Sequence, residues 1–357
     1  MAASSSSIHR ALRAIAWATA AFAVSACANS HTFTPASEAL SRTAKPASAS
    51  GFTFYTVDYP YQTPNRITGI ADNQEIVGVY GDNGSYGPYH SFTSQYDASQ
   101  PYAKFQKDDY PNAPSTYMAS INLPPHSSST IQAGYVITPG DLQGYWGVLN
   151  NKGLWSLIRR HRGEGKCHMM ELFGINSSYF EVGFYWYDNS PPSGNCSSHT
   201  QYVTEARPGG AFHDFTVVGA NPTAAGVNKS GWLAGSTDNS GNGPSQGWTK
   251  MVCKGCNKGT EVKYWNYDND PSSSTQLLGM NDSSVVVGTY QDGSGNWHGL
   301  IATNLLSISQ QPTWQSIDEP NGNQTNTVIS GIDNLGDICG WYTDAYGVTH
   351  GFVGIYQ

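Results

Sequence analysis

Charge is what this chain has least of. Of its 357 residues only 12% are Asp, Glu, Lys or Arg, roughly half the usual share of about 25%. That poverty excludes a coiled coil or a helical bundle, which needs Ala/Glu/Lys/Leu-rich periodic stretches. Cations are scarcest, 18 Lys+Arg against 26 Asp+Glu for a net charge of −8. Such a balance leaves no electrostatic footprint for nucleic acid or for an anionic membrane face. Also missing is any apolar run of the ~20 residues a membrane-spanning helix needs. Disorder does not follow, because 38% hydrophobic residues suffice for a core. What the chain has instead is 39 Gly and 22 Tyr, so that tyrosine alone outnumbers all the cations. Glycine and aromatics in short polar-punctuated runs read as an all-β extracytoplasmic protein.

The first 26 residues read as an export signal. His9, Arg10 and Arg13 make a basic start, and Ala14 to Val24 form a short, largely apolar run. It ends in Val24-Ser25-Ala26-Cys27, which resembles the lipobox of bacterial lipoproteins. The resemblance implies lipidation of Cys27 by a palmitate-bearing anchor. Ala28 follows, which by analogy directs the protein to the outer membrane of the cell envelope; the alternative is plain secretion. Losing residues 1–26 removes two Arg, so 16 cations face 26 acids and the charge becomes −10. Residues 27–50 are Ser/Thr/Ala/Pro-rich and read as a flexible tether, leaving 51–357 as the folded domain.

Five cysteines remain. In an oxidising compartment Cys167 with Cys196, and Cys253 with Cys256, read as disulfides. The Cys253-Lys-Gly-Cys256 pair is only half a zinc site. Cys339 is left over.

Self-similarity is the strongest signal. Gly69-Ile-Ala-Asp-Asn-Gln-Glu-Ile-Val-Gly78, Gly174-Ile-Asn to Val-Gly183, Gly226-Val-Asn to Ala-Gly235, Gly279-Met-Asn to Val-Gly288 and Gly331-Ile-Asp to Cys-Gly340 share two glycines and an Asn/Asp turn. A degenerate copy starts at Ser120-Ile-Asn and ends at Gly134. The anchors 69, 120, 174, 226, 279 and 331 are therefore 51, 54, 52, 53 and 52 apart. Each unit holds four strand-like pieces, the last opening with His90, His298 or His350. Four antiparallel strands per ~50 residues make a propeller blade, so the expectation is an all-β, six-bladed β-propeller of four-stranded antiparallel blades. Cys339 falls where other copies place Val77, Val182, Ala234 and Val287, which predicts a buried thiol. The pattern Gly-Ile-Asn/Asp, Ile-Val-Gly-x-Tyr-x-Asp, Gly-x-x-His-Gly-Phe resembles the bacterial extracellular HAF-type repeat family over residues about 52 to 352. That resemblance implies a propeller-like architecture and an extracellular address, and brings no catalytic residues with it.

Chemistry is harder to find. The repeated histidines are expected to close their hairpins. The acids that end the first strand, Asp58, Asp109, Asp268 and Asp318, are weak candidates for a cation such as a structural calcium, against a plain role as strand terminators before proline. The third unit carries the one dense basic cluster, Arg159, Arg160 and Arg162, beside Trp155 and Trp186. Guanidinium forks beside aromatic rings suit an acidic glycan. Two functions remain open. One is a monomeric surface module that binds a glycan or a cell-surface protein without chemistry or cofactor. The other is a propeller enzyme, a glycoside hydrolase or polysaccharide lyase, which would need unlike residues converging at one mouth of the channel.

Overall fold

The computed structural model describes residues 47–49, 51–60, 64–81, 88–97, 99, 101–138, 141–148, 168–188, 199–207, 210–238, 244–252, 261–307, 309–322 and 326–357. All belong to one unit beginning at Pro46. The chain opens with β1 (Ala47–Ala49) and β2 (Phe52–Val57). The first repeat supplies β3 (Asn65–Ile70), β4 (Glu75–Gly81), β5 (Tyr89–Gln95) and β6 (Phe105–Lys107). The second supplies β7 (Ser115–Asn122), β8 (Ile131–Thr138) and β9 (Asp141–Val148). In the third are β10 (His168–Ile175), β11 (Glu181–Asp188), β12 (His199–Ala206) and β13 (Phe212–Phe215). The fourth holds β14 (Ala220–Val227), β15 (Trp232–Asp238), β16 (Ser245–Met251) and β17 (Lys263–Trp265). Then come β18 (Thr275–Met280), β19 (Val286–Gln291), β20 (Trp297–Thr303) and β21 (Thr313–Ile317). The sixth repeat ends the chain with β22 (Thr327–Ile332), β23 (Ile338–Thr343) and β24 (Thr349–Tyr356). One short 3-10 turn, Tyr267–Asn269, is the sole helical element among the described residues, and no helix there is long and apolar enough to cross a membrane.

These strands form a propeller of antiparallel blades, four-stranded in the regular units, but they assemble into five sheets rather than the expected six. The second and third repeats share one seven-stranded sheet, joined where β9 meets β10 in parallel at Leu142 and Met169. The second repeat has only three described strands before that junction, so β10 occupies the edge that a fourth strand would cover. The sixth repeat is completed by the other end of the chain: β2 pairs with β24 from Phe52 opposite Tyr356 to Val57 opposite Gly351. The last blade thus contains both termini of the domain.

Physical reasons for the repeat sequence are visible at the axis. In all six repeats the first strand bulges just before its anchor, as between Ile67 and Gly69 or Leu172 and Gly174. Bulges bend a strand and turn its side chains. The anchors then crowd one another around the centre. A Cβ at Gly69 would lie 2.9 Å from the Ile121 nitrogen, at Gly174 2.1 Å from the Ala225 oxygen, and at Gly331 3.3 Å from the Gly69 Cα. The sequence of approaches returns from the sixth repeat to the first, which closes the ring.

In two of the repeats the turn Asn does two jobs. Asn176 Oδ1 accepts from the Ser178 and Phe180 main chain, while its Nδ2 donates to the Asn228 oxygen of the next repeat at 2.9 Å. Asn281 repeats this toward Asp333. Apolar clusters fill the seams between blades. Val57, Ile67, Phe92, Cys339 and Val353, from the first and last repeats, form one of them. Cys339 is fully buried and free, as its place in the repeat predicts.

Candidate functional site at one mouth of the channel

The residue before each anchor, Thr68, Ala119, Phe173, Ala225, Leu278 or Ser330, lines the central cavity. Two positions earlier, ahead of the bulge, the regular ladder resumes. That outer layer consists of Arg66, Tyr117, Glu171, Thr223, Gln276 and Val328, six unlike side chains. The layer between is uniformly apolar: Ile67, Met118, Leu172, Ala224, Leu277 and Ile329. A position that must only fill a core stays apolar; this outer position does not.

Arg66, Tyr117, Tyr135 and Glu171 lie near enough for their charges to act on one another. Arg66 lies over the Trp341 ring of the neighbouring blade, its guanidinium carbon 5.5 Å from the centroid. Tyr117 and Tyr135, opposed across β7 and β8, stack at 4.9 Å and 7°. Tyr89 stands edge-on to Tyr117 at 5.3 Å. Burial raises the Tyr117 hydroxyl to about 12 although Arg66 draws it down, and burial lifts Tyr135 well above the ordinary tyrosine value, with Glu171 adding to it. Glu171 is 1% exposed and neither carboxyl oxygen has a partner. Burial holds its pKa well above the carboxylate range, which favours the uncharged acid over the carboxylate. Arg66 is only half-buried, yet its Nε and Nη1 are buried without an acceptor. A permanent cation and a buried acid thus flank two stacked phenols, each with polar atoms that lack a partner.

Elsewhere the repeated His and Asp, read separately in the sequence, turn out to be partners. His90 Nδ1 meets Asp109 Oδ2 at 2.5 Å, His298 meets Asp318 at 2.9 Å, and His350 meets Asp58 at 2.7 Å. The second oxygen of Asp109 accepts the Ser91 N–H, and that of Asp58 the Gly351 N–H. On the far side, His298 Nε2 faces Asp292 and His350 Nε2 faces Asp344, both at 3.4 Å. Each imidazole thus ties its hairpin to the end of the outer strand, while resting on Tyr80, Tyr290 or Tyr342. The Asp58 hydrogen bond raises the His350 pKa against the effect of burial.

Asp58, Asp109, Asp268 and Asp318 are not brought together. Three of them hold histidines in different blades, and Asp268 sits in the 3-10 turn with φ 49. Among the described residues no three His, Cys, Asp or Glu are grouped to hold a metal. Trp186 is only 5% exposed on β11, so its ring is buried. Trp155, Arg159, Arg160, Arg162, Cys27, Cys167, Cys196, Cys253 and Cys256 lie outside the described residues.

No protein-family model matches the chain, and no curated protein does. Among solved structures it is similar to a subtype N11 neuraminidase-like protein (A/flat-faced bat/Peru) at 10% identity and TM-score 0.45, covering 85% of this chain and 93% of that one. The lectin of Aleuria aurantia is similar at 11% identity and TM-score 0.41, over 83% and 93%. Polysaccharide lyase Uly1 is similar at 10% identity and TM-score 0.42, over 95% of both chains.

Proposed function

We propose that this protein is an envelope-anchored propeller built from six sequence repeats that binds a saccharide at the Arg66–Glu171 mouth without transforming it. The observation that supports this reading is the position three residues before each anchor, which carries Arg66, Tyr117, Glu171, Thr223, Gln276 and Val328 while the neighbouring layer is uniformly apolar. Saccharides present hydroxyls to donors and acceptors and flat faces to rings. Equilibrium binding of the full chain to an oligosaccharide array, repeated with Glu171→Gln and Tyr117→Phe, tests it. Saccharide binding that both substitutions leave unchanged would move the site elsewhere.

The enzymatic reading, a glycoside hydrolase or polysaccharide lyase, draws on Glu171 alone. A neutral carboxylic acid beside two tyrosines can serve as a general acid. Release of reducing ends, or the ultraviolet absorbance of an unsaturated product, from the same array decides for it; absence of both decides for binding.

The rest of the proposal concerns address and covalent framework. Cys27 carries the lipid, residues 27–50 tether the ring to the outer membrane, and Cys167–Cys196 and Cys253–Cys256 are disulfides. Replacing Cys27 with Ala should release the protein from membranes in cell fractionation and abolish palmitate labelling; unchanged membrane association would count against the anchor.

A further inference from the structure

We propose that a divalent cation of the calcium kind is held in the seam between the first and second repeats, by oxygens of Glu75, Thr93, Asp108 and Gln132. The site is independent of the saccharide reading and uses none of its residues.

Strand alternation puts Glu75 and Val77 on one face of β4, and the register carries that face to Thr93 on β5 and Gln106 on β6. Asp108 follows two residues after Gln106. Val77 packs with Met118 and Ile121, so this face of the first blade looks at the second repeat. Across the seam the Thr130 hydroxyl donates to Glu75 Oε2 at 3.2 Å. Gln132, two residues on from Thr130, lies on the same side of its strand and points into the same seam. It is fully buried, and neither atom of its amide has a partner. Asp108 is 2% exposed. Its Oδ1 accepts from Gln106 at 3.1 Å, while Oδ2 is buried with no donor. Thr93 bonds the same carboxyl, and Glu75 is near enough for the two charges to act on one another. Neither acid forms an ion pair with a described Lys or Arg. Two buried acceptors, Asp108 Oδ2 and Gln132 Oε1, thus share a seam that gives them no hydrogen, which is costly unless something fills the place. A cation joins acceptors that cannot bond each other. Calcium takes about six to eight hard oxygens, and two carboxylates, an amide and a hydroxyl begin such a set, with water completing it. A bound water also accepts from Gln132 Nε2. Only two of the four ligands are acids, so this is not a cluster of grouped carboxylates. The ligand atoms are closed off once the blades meet, so the ion enters as the seam forms during folding. Magnesium, which demands a strict octahedron and gives up its water reluctantly, suits the set less well.

The experiment uses the full chain, purified through gel filtration in calcium and assayed for metal, then treated with a chelator in mild urea to loosen the seam. The purified chain should carry one calcium. Chelation should lower its thermal midpoint by about 5 °C, and calcium should restore it where magnesium, or potassium at matched ionic strength, does not. Asp108→Asn should weaken calcium binding ten-fold or more, whereas Asp268→Asn, in a turn far from this seam along the chain, should leave it unchanged. If Asp108→Asn does not fold, Gln132→Glu adds a third carboxylate, and should bind calcium more tightly while being less stable than the parent in chelator. A chain that carries no calcium and whose midpoint ignores it overturns the site. A midpoint that potassium restores equally reports screening of the net charge of −8 and overturns it too. Calcium binding that survives in folded Asp108→Asn, or that Gln132→Glu leaves untouched, shows that the ion sits elsewhere.

Discussion

Asn281 donates its side-chain amide to the main-chain oxygen of Asp333 at 2.9 Å, and Asp333 then fails to pass the same bond on. It occupies the position of Asn122, Asn176, Asn228 and Asn281 in the other repeats. Its Oδ1 accepts from Leu335 and Asp337 as an asparagine would, but Oδ2, where the amide nitrogen would be, is buried without a partner.

The seam where the ring closes therefore contains a carboxyl in place of an amide. Burial, with Asp337 and Asp72 adding to it, lifts Asp333 to about 7. The folded pKa is above the unfolded one, so the stability it allows is fully present below about pH 4 and is lost as pH rises through about 7. Asp333→Asn should raise stability at pH 8 by an amount on the order of 1–4 kcal/mol and by little at pH 4. Urea melts at the two pH values measure it. A substitution that is neutral at both would show that this seam does not carry the cost.

His350 shifts stability in the same direction. Asp58 raises its pKa, so the pair contributes most below the ordinary histidine pKa of about 6.5 and less as pH climbs through the folded value. Asp58→Asn should flatten that part of the pH profile and lower stability at pH 6 more than at pH 8. The same change in Asp97, exposed beside Ser99 and Lys104, should leave the profile above pH 5 as it was.

The glycine at the axis gives a sharper test. A Cβ at Gly174 would be 2.1 Å from the Ala225 oxygen, and main chain cannot yield as a flexible side chain does. Gly174→Ala should cost about 2–4 kcal/mol. Gly293 lies in a hairpin turn with nothing within 4 Å of the added atom, and Gly293→Ala should change stability by less than about 1 kcal/mol. Equal thermal midpoints for the two variants would mean that the anchors are spaced more loosely than the ring requires.

Much of this architecture is readable in the sequence, because a repeat exposes its own constraints. Two glycines nine residues apart mark the crowded axis and the bulge beside it, and the Cys339 column reads as core. The His–Asp partnership escapes notice because its members sit in different strands: 19 residues separate His90 from Asp109, and 292 separate His350 from Asp58. The second pair becomes visible only once the chain is treated as circular. Five sheets replace six because the second and third repeats depart most from the pattern, and there β9 pairs with β10 instead of leaving two free blades. Trp186 looks available because aromatics often face ligands, yet its ring is 5% exposed. The mouth cluster left a signal that spacing alone does not weigh: three residues before each anchor, Arg66, Tyr117, Glu171, Thr223, Gln276 and Val328 share no common chemistry.

The closing strand sets how much of the N-terminal segment the fold needs. β2 supplies Phe52, Phe54 and Val57, each buried to 3% exposure or less, and Phe54 packs on Phe352 at 5.6 Å. At about 1.5–3 kcal/mol for each large buried side chain, losing the three removes roughly 5–9 kcal/mol. A whole domain has only about 5–15 kcal/mol to lose. Removing residues 1–46 should therefore leave a soluble protein with an unchanged thermal midpoint. Removing residues 1–57 should leave β24 with an unpaired apolar edge and give aggregated or loosely packed protein, with near-ultraviolet dichroism lost. A peptide covering residues 51–58, added during refolding, should restore the signal by pairing with β24. If the chain from Asp58 onward folds unaided with the same midpoint, the ring is not closed by its first strand, and the axis contacts between the first and last repeats must hold it alone.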